Sequence, residues 1–399
     1  MTDLLQPVAI TRSEHWEADQ INPGDVRGVL NRMWGEIAAE RRSGNRLARA
    51  VADAASMRTQ TVNLVVISDG NTNHSDPAQL VTHLPDFTPS RVVILTSQVG
   101  WAQTLKVGVD VEERPNKPPH APTRIEVISV RGRGERLASV ATPLLVPELP
   151  DFVWCTTPEF ARDPVLDELS EQVDRIMVDS SASPNPATAL NYLVHLVKAG
   201  GTELKISDMA WTRLRSWRQM VAQFFDNPSH LTCLYETEEV IIECAKRDGT
   251  GKSGITGALL AAAWLSYCMG WRAPGEELVR SRDGWKLTLR AGQKGQSREV
   301  VVVIKEVVDA ASAGGLSAIR LNSGTTASGT FLVRRTGPDT MTTVSETPHA
   351  GISERTIYSA NPDQADLLSR ELREFDSDPV FEQSLQIAAN MWPTEATVQ

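Results

Sequence analysis

Two short runs, Thr61-Val-Asn-Leu-Val-Val-Ile-Ser68 and Ser90-Arg-Val-Val-Ile-Leu-Thr96, constrain this chain most. Both are almost uninterrupted apolar and β-branched sequence, the pattern of strands covered on both faces. Asp69-Gly70 turns the chain out of the first run, and Asp76-Pro77 starts a helix through Leu84 before the second. A strand, a helical crossover and a second strand make a parallel pair the economical topology. Further strand-like runs at Arg124–Arg131, Phe152–Cys155 and Ile176–Ser180 extend it. The first half therefore predicts an α/β domain with a doubly wound, mainly parallel sheet.

A cluster of helix-breaking residues, Ser181-Ala-Ser-Pro-Asn-Pro186, marks the expected boundary. Residues 1–22 read as an irregular leader, 23–180 as the α/β domain, and 187–399 as a C-terminal α+β domain of antiparallel strands and helices. A helix from Asn22-Pro23 is expected to end near Gly44, with a second helical stretch to about Met57. In the C-terminal domain, Leu231–Tyr235 and Glu239–Ala245 read as strands. Five strand-like runs between Trp285 and Thr347 suggest an antiparallel meander, and helices start at Asn361-Pro362 and Asp378-Pro379.

With 399 residues, two domains are expected, and a hydrophobic fraction of 41% is enough for each to bury a core. A formal net charge of −10 argues against nucleic-acid binding by bulk electrostatics. The N-terminus has no basic region followed by a long apolar core, so no signal peptide is read there. Ile255–Trp271 is the most apolar stretch but falls short of a bilayer span, which makes it a buried helix rather than a membrane segment. Four cysteines without export imply reduced thiols and a cytoplasmic protein.

The most distinctive stretch is Asp208–Asp226. Trp211, Leu214, Trp217, Val221 and Phe224 recur at helical spacing, with Arg213, Arg215 and Arg218 close by. Asp208 is the expected N-cap and Asn227-Pro228 the stop. Trp and Arg are types enriched in binding hot spots, so Trp211, Arg213 and Arg218 are the candidate partner-binding residues; a core helix with solvated arginines is the plainer alternative. Trp217, Val221 and Phe224 are expected to pack inward.

Two other features invite chemistry. Gly249-Thr-Gly251-Lys252-Ser253-Gly254 is a literal G-x-G-x-x-G between a strand and a helix, and could offer N–H groups to a nucleotide phosphate. Against this, Lys246 stands where a P-loop needs glycine, and the following strands look antiparallel; the alternative is a turn whose Ser253 caps a buried helix. Cys233 and Cys244 lie on consecutive expected strands and form the candidate redox pair, against four buried thiols acting as small hydrophobes. Asp69–Asp76 resembles a calcium loop only superficially, because the terminal Glu is missing. No spacing of His, Cys and carboxylates reads as a metal site, and no catalytic constellation is visible, so neither metal nor cofactor is expected.

In order along the chain, Val62–Ser68, Pro89-Ser90-Arg91-Val-Val-Ile-Leu95, Leu144-Leu-Val-Pro147-Glu-Leu-Pro150-Asp-Phe-Val-Trp154, Val178-Asp179-Ser180 and Asp208-Met-Ala-Trp211-Thr-Arg213-Leu-Arg-Ser-Trp217-Arg218 resemble the OpcA family, the glucose-6-phosphate dehydrogenase assembly proteins. The similarity runs from about residue 25 to about 395. The resemblance implies a non-catalytic allosteric activator that binds glucose-6-phosphate dehydrogenase and promotes its active oligomer. Its activity toward glucose 6-phosphate would rise, controlling the oxidative pentose phosphate pathway and NADPH supply. It also implies thiol redox control, with thioredoxin as a second partner.

Overall fold

The computed structural model describes residues 12–19, 23–42, 62–70, 76–82, 84, 90–97, 105–114, 123–134, 137–201, 203–246, 253–273, 277–282, 284–292, 298–308, 315–324 and 328–393. The chain divides into two compact units. Unit 1 holds residues 1–178, 202–205 and 368–375; unit 2 holds 179–201, 206–367 and 376–399.

Unit 1 is built from β1 (Arg12–Asp19), α1 (Pro23–Arg42), β2 (Val62–Ser68), α2 (Pro77–Thr82), β3 (Ser90–Ser97), β4 (Lys106–Arg114), β5 (Thr123–Gly132), α3 (Leu137–Ala141), β6 (Asp151–Cys155), α4 (Pro164–Ser170) and β7 (Arg175–Val178). The strand order is β1-β4-β5-β3-β2-β6-β7, and the start of β8 (Lys205–Asp208) lies beside β7, where the Lys205 N–H donates to the Asp174 carbonyl at 2.8 Å. The five strands β5-β3-β2-β6-β7 pair in parallel. Every residue of β2 is buried, as a strand covered on both faces requires. This is the mainly parallel sheet expected from the sequence.

Two strands were not legible. The segment read as an irregular leader contains β1, which pairs antiparallel with β4, itself paired antiparallel with β5. The reason lies in their composition: β1 is Arg-Ser-Glu-His-Trp-Glu-Ala-Asp and β4 Lys-Val-Gly-Val-Asp-Val-Glu-Glu-Arg. An edge strand needs an apolar face on one side only, and β1's outward side chains are exposed. The helical stretch to Met57 and residues 71–75 of the calcium-like loop lie outside the described residues.

At the join of β3 and β5 sits a buried ion pair. The Arg91 side chain donates from Nε to Glu126 at 2.7 Å and from Nη1 to the Leu144 carbonyl at 2.9 Å. Trp34 Nε1–H of α1 donates to the same Glu126 carboxylate at 2.6 Å. Arg91 and Glu126 are register partners, so a charge required on β3 is matched across the sheet.

Unit 2 adds α5 (Pro186–Gly200), α6 (Met209–Arg213), α7 (Arg215–Gln223), α8 (Leu231–Tyr235), β9 (Thr237–Ala245), α9 (Ile255–Met269), β10 (Val279–Ser281), β11 (Gly284–Ala291), β12 (Arg298–Val307), β13 (Leu316–Ser323), β14 (Thr330–Gly337), β15 (Thr340–Thr347), β16 (Gly351–Tyr358), α10 (Gln364–Glu371, which ends in unit 1) and α11 (Pro379–Met391). The eight strands run β10-β11-β12-β9-β13-β14-β15-β16. All neighbours are antiparallel except β9 and β12, which pair in parallel. An antiparallel sheet with helices, the expected α+β half, is what forms.

One sheet face carries Val240, Ile242, Val300, Val302, Ile304, Phe331 and Val333, all buried. Helix α9 is apolar all round and packs against β9 and α11. Among the described residues, no helix is long and apolar enough to cross a membrane. Helix starts follow the sequence chemistry: the carboxylates or amide of Asp163, Asn185 and Asp378 each accept a backbone N–H of the following Pro-led helix.

The segment Leu231–Tyr235 is the helix α8, not the expected strand. Leu-Thr-Cys-Leu-Tyr has no distinguishing period over five residues, and the turn Pro228–His230 feeds it in helical geometry.

Candidate functional site

The expected single helix from Asp208 is two helices meeting at Leu214. Its N–H bonds back to the Trp211 carbonyl at 3.0 Å, a tight three-residue step, before α7 resumes with the Arg218 N–H on the Leu214 carbonyl. Asp208 caps α6 as expected, accepting the Ala210 N–H at 2.9 Å. The same carboxylate accepts the Ser180 N–H at 3.0 Å and the Ser180 hydroxyl at 2.5 Å. The start of α6 is thereby tied to the turn that follows β7.

Arg213 closes a second link. Its guanidinium meets the Asp179 carboxylate at 2.8 and 2.6 Å and donates to Ser181 Oγ at 3.1 Å. Asp179 in turn accepts the Ser181 hydroxyl at 2.6 Å. Two-point pairing of this kind fixes direction as well as charge. Facing Asp179 and Asp208 together, the Arg213 guanidinium is held more firmly protonated than usual despite its own burial.

Burial pushes the Asp208 carboxyl up to about 6, against the pull of its hydrogen bonds from Ser180. The sign follows directly: between pH ~4 and ~6 the folded protein holds a proton that the unfolded chain has released, so stability falls as pH rises through that window and is level above it. The span is worth about 3 kcal/mol. Asp208→Asn is expected to flatten this slope, read as denaturant midpoints at pH 4.5, 5.5 and 7 (about two pKa intervals).

Trp211 is 5% exposed. Its indole N–H donates to Asp378 Oδ2 at 2.8 Å, and its ring lies 5.6 Å from Phe381. On the other side, the Arg218 guanidinium stacks 3.6 Å from the indole centroid. Burial lowers the Arg218 pKa to about 10, so it remains a cation at neutral pH. Trp217 is 4% exposed and Val221 is buried, as expected. Phe224 is only half-buried, its ring 5.4 Å from the fully buried Phe331.

The three candidate partner-binding residues, Trp211, Arg213 and Arg218, all have contacts inside unit 2. Trp211 is a core staple, Arg213 is committed to Asp179, and Arg218 is half-buried against Trp211. The physical reason is that the Trp211 indole N–H and the Arg213 guanidinium find their partners within unit 2, while Arg218 lies over the Trp211 ring. A cavity of about 230 Å³ adjoins the node, lined by Arg213, Trp217, Gly257, Leu316, Arg335 and Asp363 among others. Among the described residues, no group of three or more His, Cys, Asp or Glu could hold a metal ion.

The loop candidates part company. Gly249, Gly251 and Lys252 lie outside the described residues. Ser253 Oγ accepts the Ile255 N–H at 3.3 Å, so it supports the start of α9. Gly254 is required by packing: a Cβ there would stand 2.4 Å from the Gly315 carbonyl oxygen and 2.8 Å from the Cys244 Cβ. The strands beyond α9 do include a parallel partner for β9, contrary to expectation, but β12 is reached only after β10 and β11.

The redox pair is revised. The Cys233 carbonyl accepts from Ser323 and Thr237, which places it at the Thr237 end of β9. Cys244 is near the other end, opposite Leu316. The intervening strand spans about 23 Å at ~3.3 Å per residue, far beyond the roughly 7 Å Cα separation a disulfide bridges. Cys233 sits on α8 rather than on a strand paired with β9, so the two thiols do not face each other.

Burial raises all four thiol pKa values, that of Cys155 to about 12. Cys268 alone is exposed. Native alkylation at neutral pH is expected to label Cys268 first, with Cys155, Cys233 and Cys244 labelled on unfolding; peptide mass spectrometry checks the order.

Fold and site together define a two-unit α/β and α+β protein whose Trp–Arg helix pair is a structural node. Residues 82–195 match the family described as the glucose-6-phosphate dehydrogenase subunit N-terminal domain, and residues 204–385 match the corresponding C-terminal domain. The chain belongs to the OpcA family. It is 27% identical over 266 residues to a putative OxPP cycle protein OpcA of Nostoc punctiforme, covering 65% of this chain and 54% of that one. It is 30% identical over 149 residues to the protein of the same description in Synechocystis, covering 37% and 30%. The chain thus matches about half, or less, of the length of these relatives. Among solved structures, an NAD binding oxidoreductase from Klebsiella pneumoniae aligns at TM-score 0.44 and 12% identity, covering 82% of this chain and 94% of that one; similarity at this level carries no functional argument.

Proposed function

We propose that this chain is a non-catalytic assembly factor that binds glucose-6-phosphate dehydrogenase, favours its active oligomer and raises its activity toward glucose 6-phosphate in the oxidative pentose phosphate pathway. The observation that carries this reading is the pair of dehydrogenase-subunit domain matches, in order and covering residues 82–195 and 204–385. The titratable side chains of the Trp–Arg node agree with it: Asp179, Asp208 and Arg213 are spent on one another and on Ser180 and Ser181, a use suited to holding a shape.

An activator must bind the active state of its enzyme more tightly than the inactive one. A coupling of about 1–3 kcal/mol changes affinity about 5–150-fold. The purified chain is expected to co-elute with the dehydrogenase and to lower its apparent KM for glucose 6-phosphate. Co-elution without any kinetic effect would reduce the role to scaffolding, and absence of co-elution ends the proposal. Nucleotide binding at 249–254 has no separate support, since its described members serve α9 and its packing. Thioredoxin is not part of the proposal.

A further inference from the structure

The second face of the unit 2 sheet has no use in the reading above. Where Val240, Ile242, Val302 and Ile304 point to the buried side, their neighbours Ile241 and Val303 are half-buried, as are Leu332 and Val344. The strand registers place these four in one row, with Arg320 between Ile241 and Leu332. Lys286 of β11 continues the row beyond Val303, and Glu354 of β16 continues it beyond Val344. The next row holds Glu243, Ala318 and Arg334 side by side. None of Lys286, Glu243, Arg334 or Glu354 forms an ion pair with another described residue. At the far edge, Ile352 and Tyr358 are 70% and 77% exposed.

We propose that this face joins two copies of the chain, sheet against sheet, about a two-fold axis lying along β13. Strand β13 is the middle strand of the seven from β11 to β16. The axis therefore sets β9 over β14 of the second copy, β12 over β15 and β11 over β16. Ile241 then meets Leu332 of the second copy, and Val303 meets Val344. Glu243 meets Arg334, and Lys286 meets Glu354. Both members of each pair are supplied by one sequence, as an isologous interface demands. The arrangement sets Arg320 near its own copy, with Glu239 and Glu243 diagonally beside it on β9 as counter-charges.

The dimensions agree with the occupant. Seven strands about 4.8 Å apart, each offering three outward rows, cover roughly 35 by 20 Å, about 700 Å² per copy and about 1,400 Å² in all. A stable specific interface buries about 1,200–2,000 Å². Facing sheets also pack about 10 Å apart through side chains of this size.

The test uses the chain alone, so it stands or fails independently of dehydrogenase binding. Sedimentation from about 1 to about 100 µM is expected to show a dimer, alone or in equilibrium with monomer at the lower end, because interfaces of this size hold at about micromolar affinity or tighter. Leu332→Arg and Glu243→Lys are each expected to raise the dimer Kd at least tenfold, roughly the loss of one central contact. The double variant Glu243→Lys/Arg334→Glu is expected to recover dimerisation, because the pairs are reversed together. Matching thermal melts establish that each variant is folded. A monomer at every concentration overturns the proposal, as do charge reversals that leave Kd unchanged or a double variant weaker than both singles. It is equally overturned if Glu243 of a monomeric chain is shielded from carboxyl labelling only when glucose-6-phosphate dehydrogenase is added.

Discussion

Trp211→Ala is expected to lower the unfolding free energy by about 3–5 kcal/mol, the cost of removing a buried large aromatic. The residue is buried, so most of the loss is cavity and lost contact with Phe381. Two further losses come with it. Asp378 loses the indole N–H from the carboxylate that caps α11, and Arg218 loses the ring that covers its guanidinium. Trp211→Phe keeps most of the volume but not the donor, and is expected to cost about 1–2 kcal/mol, the range for a buried acceptor left unmade. Urea denaturation of the three proteins separates the terms. A Trp211→Ala variant as stable as the parent would mean that the indole is not the staple the contacts describe.

Arg213→Ala is expected to destabilise by about 2–4 kcal/mol. Breaking a buried pair costs about 3–5 kcal/mol because the remaining charge is stranded, and the partial exposure of this pair reduces that figure. Side-chain exposures of 18% for Arg213 and 14% for Asp179 place it nearer the buried limit. The diagnostic is the cycle with Asp179→Asn. Removing the stranded charge should recover part of the loss, giving a coupling above about 1 kcal/mol for groups in direct contact. Additive losses would show that the two-point pair is not energetically coupled. Because the change acts on the turn at Asp179–Ser181, weakened activation of the dehydrogenase would accompany lost stability rather than occur in an intact fold.

Legibility differed from element to element. The parallel core strands were readable because each residue of β2 meets the same apolar environment, so burial on both faces is written into consecutive letters. The N-caps were readable because a side chain and its target N–H lie two or three residues apart. Strand β16 was not readable: six of its first seven letters are exposed, and its membership rests on pairing with β15. The parallel β9–β12 pair was missed because β10 and β11 intervene, and pairing across such a gap leaves no local pattern.

The Trp–Arg stretch shows the same division. Its residue types and spacing pointed to a helix with Asp208 as cap, and its resemblance together with that of Val178-Asp179-Ser180 pointed to one family. That the two segments recognise each other, Asp208 with Ser180 and Arg213 with Asp179, required the tertiary structure. Helical period reports which side chains share a face, whereas hydrogen-bond partners about 30 residues away are chosen by how the chain returns. Fold class, the order of the main elements and the family could all be read from the linear chain. Folding alone turns Trp211 and Arg213 inward, sets Cys233 and Cys244 at opposite ends of a strand, and lines up Ile241, Val303, Leu332 and Val344 in one half-buried row. Burial and pairing between distant segments are properties of the folded backbone, and no local window contains them.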